Sequence, residues 1–276
     1  MNFRKTIELL KHPRPKAAGG TSLPDALAAA PPNVCEPPFR PGWYSPDYCH
    51  SRRVVLDQQR MRDNRIISEA TGSMDNDTYK VLKTQIQQRT AARGWNTIMV
   101  TSPSGGEGKT LTAINLAMAF AKDFDRTVLL VDCDLKRQMI HRYLGIDGDI
   151  GLIDYLLDEH PMNDLIVWPG IEKLTLMSGG RPIEDSTELL GSPQMRLLVE
   201  EMKSRYENRY IIFDVPPILD RSESIAFTPL VDGVVIVVEH GKTTLPDIRQ
   251  ALSLIPREKI IGFVLNAADN GRPYAV

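Results

Sequence analysis

The chain has 276 residues, 42% of them hydrophobic and 25% charged, with 33 Lys and Arg against 35 Asp and Glu for a formal net charge of −2. Such values belong to a globular chain and exclude a collagen-like, fibrous or wholly disordered one. The near-neutral balance creates no global field toward nucleic acid or anionic lipid, so a polyanion must be met locally and no nucleic-acid partner is expected.

Apolar runs such as 234–238 fall far short of the ~18–20 residues that span a bilayer. The first residues lack the continuous apolar core of a signal peptide, so a cytoplasmic location is expected. Three cysteines, Cys35, Cys49 and Cys133, have neither paired nor metal-type spacing, which fits a reducing compartment.

In chain order, residues 1–12 carry Phe3, Ile7 and Leu10 at helical spacing, which predicts a short amphipathic segment. Nine of the 20 prolines precede residue 47, among Gly19, Gly20 and alanine-rich stretches. Proline removes backbone donors and fixes φ, so 13–74 is expected to be a largely disordered linker. From 75 to about 270, short β-branched runs alternate with helical periods, the pattern of βαβ units. Strands are predicted at 97–101, 127–132, 174–178, 209–214, 233–238 and 259–265, and helices near 110–122, 151–159, 193–206 and 246–254. The expected fold class is α/β, a doubly wound and largely parallel sheet over 75–270, with a disordered proline-rich N-terminal extension and a flexible tail at 271–276. Ligands of such sheets bind at the carboxyl ends of the strands.

Three strand ends are chemically loaded. Strand 97–101 runs into Ser102-Pro-Ser-Gly-Gly-Glu-Gly-Lys-Thr110 and then a helix, the order of a P-loop. Gly105, Gly106 and Gly108, with Glu107 among them, let backbone N–H groups approach phosphates; Lys109 reaches the β and γ phosphates, and Thr110 can ligate Mg²⁺. ATP and Mg²⁺ are the expected cofactors, although Pro103 stands where the motif has its first glycine. Strand 127–132 ends in Asp132-Cys-Asp134-Leu-Lys-Arg137. A spacing of two points both carboxylates one way and Cys133 the other. Two like charges ~6 Å apart cost about 3 kcal/mol at an effective dielectric near 20, so the pair favours a cation beside it. Strand 209–214 ends in Asp214-Val-Pro-Pro217, an acidic cap of the Walker B kind.

Together these motifs resemble Walker A, A′ and B of the bacterial tyrosine kinases, cytoplasmic autokinases of exopolysaccharide synthesis. Gly151-Leu-Ile-Asp-Tyr-Leu, Ser186-Thr-Glu-Leu-Leu-Gly and Val264-Leu-Asn-Ala-Ala-Asp extend the resemblance over about residues 75–270. It is similar in particular to the stand-alone autokinases of exopolysaccharide and exosortase loci. The resemblance implies that Lys109 and Thr110 bind nucleotide and metal, that Asp134 and Asp214 organise Mg²⁺, that Asp132 receives the tyrosine proton, and that Asn266 sits near the adenine. Lys109, Asp132 and Asp134 would then be the catalytic set. The family's E-x-x-R-x-x-R helix, which builds a homo-oligomeric ring, reads here as Asp77, Lys80 and Lys83, and lysine lacks arginine's bidentate fork. The family's tail tyrosines reduce to Tyr274 as the phosphorylation target. The implied partner is an inner-membrane polysaccharide co-polymerase, a chain-length regulator that holds the cytoplasmic protein at the membrane periphery. Two alternatives stay open: a partition or division-site ATPase, which carries a second P-loop lysine where this chain has Ser104, and a nucleotide-gated scaffold without kinase activity.

Overall fold

Runs of aliphatic and β-branched residues with no polar alternation form strands buried on both faces. In the computed structural model, which describes residues 51–68, 73–148, 150–184, 186–205 and 208–268, the elements follow in order. They are β1 (Arg52–Arg53), α1 (Gln58–Asp63), α2 (Ser73–Thr90), β2 (Thr97–Thr101), α3 (Lys109–Ala121), β3 (Thr127–Asp132), α4 (Ile140–Leu144), α5 (Leu152–Asp158) and α6 (Met162–Leu165). Then come β4 (Ile166–Trp168), β5 (Leu174–Met177), α7 (Ser186–Leu190), α8 (Pro193–Ser204), β6 (Arg209–Asp214), α9 (Ser222–Phe227), β7 (Gly233–Glu239), α10 (Leu245–Leu254) and β8 (Ile260–Asn266).

The sheet order is β1-β4-β5-β3-β6-β2-β7-β8. All neighbours pair parallel except β4 with β5. Alternate residues of each strand feed two cores. Met99, Leu129, Ile211 and Ile236 face the layer of α5–α10, whereas Ile98, Leu130, Ile212 and Val237 face α1–α4. Helix α3 is apolar nearly all round and is buried on its outer side too, beneath α2 and the segment before it. This is the doubly wound α/β fold that the alternation of strands and helices predicts. Cys133 lies buried in the first core.

The expectation of a linker through residue 74 is corrected for 51–68. The Val54 N–H donates to the Trp168 carbonyl at 2.9 Å and the Asp57 N–H to the Leu144 carbonyl at 3.0 Å. The Asp57 carboxylate caps α1 by accepting the Gln59 and Arg60 N–H groups. Leu56, Met61, Ile66 and Ile67 are buried. Asn115 of α3 clamps the segment with both amide atoms, accepting from the Ile67 N–H at 2.9 Å and donating to the Arg65 carbonyl at 3.2 Å. Burial of four apolar side chains, together with these backbone and Asn115 hydrogen bonds, offsets the entropy of ordering a charged stretch. The predicted amphipathic segment 1–12, the proline-rich stretch to residue 50 and the tail 271–276 lie outside the described residues.

Candidate active site

Because β6 lies between β3 and β2, Asp132 pairs in register with Asp214, and Val100 with Asp214. The three loaded strand ends are therefore adjacent. The loop 102–108 leaves β2 and enters α3 at Gly108, whose φ of 90° lies in the left-handed region. A Cβ there would sit 2.0 Å from Nδ2 of Asn266, which itself donates to the Glu107 carbonyl at 3.0 Å. Glycine is thus demanded twice, by backbone conformation and by the close approach of Asn266. Glu107 is buried, and its carboxylate accepts from the Ser104 N–H at 2.8 Å and from the Thr243 hydroxyl. The side chain shapes the loop from within rather than reaching toward a nucleotide. At the loop tip the Gly105 N–H donates to the Asp220 carboxylate at 2.9 Å, a carboxylate oxygen on a donor suited to phosphate.

The Lys109 ammonium lies 3.0 Å from Asp134 Oδ2 and 3.3 Å from Asp214 Oδ1. The Thr110 hydroxyl donates to Asp214 Oδ2 at 2.7 Å. Burial works against the Lys109 charge, but Asp214 and Asp134 outweigh it and raise the lysine's proton affinity, so the ammonium persists. Burial pushes the Asp214 carboxyl up, with Lys109 and Thr110 only partly offsetting it. Burial and then the Asp214 charge push Asp132 well above the ordinary carboxylate range. Asp132 Oδ1 accepts the Asp134 N–H, and Oδ2 the Met139 and Ile140 N–H groups, all at 3.1 Å. It pins the chain leaving β3, a role that spacing alone did not disclose.

The Thr110 hydroxyl and the Asp134 and Asp214 carboxylates form an all-oxygen donor set, which suits Mg²⁺, an ion held by one or two carboxylates together with phosphates and water.

Sequence reasoning named Lys109, Thr110, Asp132, Asp134 and Asp214, and the fold brings all five together; Gly105, Gly106, Glu107 and Gly108 form one loop with Asn266 against it. The α2 set does not share one face. Asp77 and Lys80 pair at 2.8 Å on the surface, while Lys83 turns inward to Asp123 at 3.4 Å with only 14% of its side chain exposed. Tyr274 lies outside the described residues.

Thr243 and Lys242, in the turn after β7, were missed by sequence reasoning. In the stretch after β3, Lys136 reaches Glu223 at 3.3 Å, which also accepts from the Ser186 hydroxyl at 2.6 Å. The signal available for the first two was their place, just before the Thr244 and Asp247 capping box that starts α10, at the carboxyl end of a core strand.

A model of the AAA domain family matches residues 95–260. Tyrosine-protein kinase YwqD of Bacillus subtilis (strain 168) is 30% identical over 209 residues, which cover 75% of this chain and 87% of that protein. The succinoglycan biosynthesis transport protein ExoP of Rhizobium meliloti (strain 1021) is 30% identical over 231 residues, 80% of this chain and 28% of the relative. The chain thus spans most of the first relative and little more than a quarter of the second. Among solved structures, the VpsO kinase domain aligns with a TM-score of 0.59 and 27% identity over 69% of this chain and 98% of that one.

Proposed function

For a chain that belongs to the bacterial tyrosine kinases, with an AAA-type P-loop domain at its centre, we propose an ATP-dependent protein-tyrosine autokinase that regulates exopolysaccharide biosynthesis or export. One observation carries this reading. The Lys109 ammonium lies between Asp134 and Asp214, with the Thr110 hydroxyl on Asp214, where a glycine loop meets two adjacent strand ends.

Loop 102–108 cradles the phosphates with its N–H groups, and Lys109 moves its charge from the carboxylates to the β and γ phosphates. Thr110, Asp134 and Asp214 would hold Mg²⁺, which would supply charge neutralisation at the transferring phosphoryl group. The tyrosine oxygen attacks the γ phosphorus, the bond to the β-phosphate oxygen breaks, and ADP leaves. The hydroxyl proton goes to Asp132, the carboxylate at the end of β3 that pairs in register with Asp214. Oδ1 of Asp132 accepts one backbone N–H where Oδ2 accepts two, so Oδ1 is the atom proposed to take that proton. Asn266, against the loop at Gly108, borders the adenine.

The acceptor is Tyr274, phosphorylated by a neighbouring subunit of a homo-oligomer in which the exposed Asp77 and Lys80 pair meets the adjacent copy. No helix among the described residues is long and apolar enough to cross a membrane. An inner-membrane polysaccharide co-polymerase is the proposed partner, recruiting the chain to the cytoplasmic membrane face.

Mass spectrometry after incubation with Mg-ATP tests the activity. Phosphotyrosine is expected; ADP release without it points to an ATPase of the partition type, and neither product to a scaffold. Mixing a Lys109→Met chain with a Tyr274→Phe chain tests transfer between subunits, since phosphotyrosine is then expected on the Lys109→Met chain.

A further inference from the structure

The turn that joins β7 to α10 lies against the rim of the P-loop, and the chemistry above does not use it. The Thr243 hydroxyl donates to the buried Glu107 carboxylate, and the Glu239 N–H donates to the Thr243 oxygen at 2.8 Å. The Lys242 N–H donates to the Glu239 carbonyl at 3.2 Å. These bonds hold the Lys242 ammonium over the loop tip, 3.4 Å from the Gly105 carbonyl oxygen and 3.3 Å from the point a Cβ on Gly106 would occupy. Lys109 stands at the helix end of the same loop, so the loop has one cation at its tip and another at its helix end.

The two lysines differ in what holds them. Lys109 is buried among carboxylates, whereas Lys242 pairs at 2.8 Å with Glu239 and donates at 3.4 Å to the Gly105 carbonyl, its side chain 50% exposed. An exposed pair of this kind is weak and exchangeable. A polyphosphate in the loop brings several negative charges to the same place and competes with one carboxylate for the ammonium. Only side-chain torsions need change, because the turn is already anchored through Thr243.

We propose that Lys242 is a second phosphate-binding lysine. It rests on Glu239 while the loop is free and passes to the outer phosphate oxygens when a nucleoside triphosphate enters. The proposal rests on the nucleotide reading given above and adds to it a ligand from outside the P-loop motif.

Calorimetric titration of the full chain with Mg-ATP, and with adenosine as the phosphate-free control, tests it. Lys242→Met is expected to weaken ATP about three- to tenfold, the range of an exposed charge contact, and to leave adenosine unchanged. The deficit should shrink at high salt. Glu239→Gln is expected to tighten ATP, and by more when Lys242 is present than in the Lys242→Met background, because a competitor for the ammonium has been removed. A structural clamp predicts the opposite sign, since breaking the pair from either side would then loosen the turn and weaken ATP. ATP affinity unchanged in Lys242→Met, or weakened in Glu239→Gln, overturns the proposal. Failure of the wild-type chain to bind ATP overturns the nucleotide reading first, and the two failures are distinct in the same titration.

Discussion

Replacing Lys109 with Met removes the ammonium that stands 3.0 and 3.3 Å from Asp134 and Asp214, and its cost in the nucleotide-free chain follows from that geometry. Each contact is worth about 5 kcal/mol by Coulomb's law at an effective dielectric near 20, a gross figure that the ammonium's own desolvation offsets. Breaking a buried pair from one side costs about 3–5 kcal/mol in practice.

The orphaned carboxylate has an escape, which is to take up a proton. That costs ~1.4 kcal/mol for each pH unit above its ordinary value, which is 3.8 for Asp214. The penalty per carboxylate therefore has a ceiling of about 4 kcal/mol at pH 7 and about 2 kcal/mol at pH 5.5. A carboxyl group raised in the folded state binds a proton on folding, so stability is greatest at low pH and falls as pH rises from 3.8 toward the folded value. Lys109→Met should steepen that fall. Urea unfolding in chelator without nucleotide, followed between pH 5.5 and 8, should show a loss of about 3–5 kcal/mol at pH 7 that roughly halves at pH 5.5. Equal stability at pH 7, or a loss that does not shrink on acidification, refutes the reasoning.

Asp214→Asn should weaken Mg-ATP binding, whereas Asp132→Asn should mainly lower phosphoryl transfer, by roughly 10²–10⁴; equally poor Mg-ATP binding by both would contradict the division of roles. Asp132→Asn should also cost about 1–3 kcal/mol in a urea titration, because an amide NH₂ replaces one of the two oxygens that accept the Asp134, Met139 and Ile140 N–H groups. Gly108→Ala should lose about 2–3 kcal/mol, from ~1–2 for the left-handed backbone and ~1 for the displaced Asn266 bond; adding Asn266→Ala should relieve the clash and leave the backbone part, as a double-mutant cycle would measure. Burial works to raise the Asp232 carboxyl, but its bonds to Lys203 and to the Asn96 and Thr97 N–H groups outweigh that and hold it below 3.8. Its stabilisation is complete above 3.8 and is lost as pH falls through the depressed folded value, so Asp232→Asn should flatten the acid side of a stability curve measured from pH 2.5 to 6.

The core strands were legible because each is a continuous aliphatic run ended by glycine, proline or aspartate, and all six predicted strands are found within a residue or two. The segment 51–68 was not, because Leu56, Met61, Ile66 and Ile67 are scattered among charged residues with no sustained period, and β1 is two arginines paired to a three-residue strand. Their order comes from the surface of α3 and α4, which only the folded chain supplies. In the site, the carboxylates at strand ends could be read because motif and position coincide. Reading Lys109 as a phosphate contact alone missed its nucleotide-free partners, which follow from the order β3-β6-β2. Asp220 and Thr243 escaped for the same reason: their bonds to Gly105 and Glu107 cross 115 or more residues and form only across strand ends.

The position of β6 also governs the order in which the molecule can be made. Arg209 pairs with Thr127 and Ile211 with Thr97, so the strand that joins the two halves of the sheet is synthesised long after both. At about 5–20 residues per second, roughly 6–20 s separate the emergence of Thr101 from that of Asp214. During that interval β2 and β3 each present an open, largely apolar edge. Lys109 and Asp134 have emerged by then, but Asp214, the second carboxylate on Lys109, has not. A chain that ends before residue 209 has two unpaired sheet edges, the kind of surface on which partly folded chains aggregate.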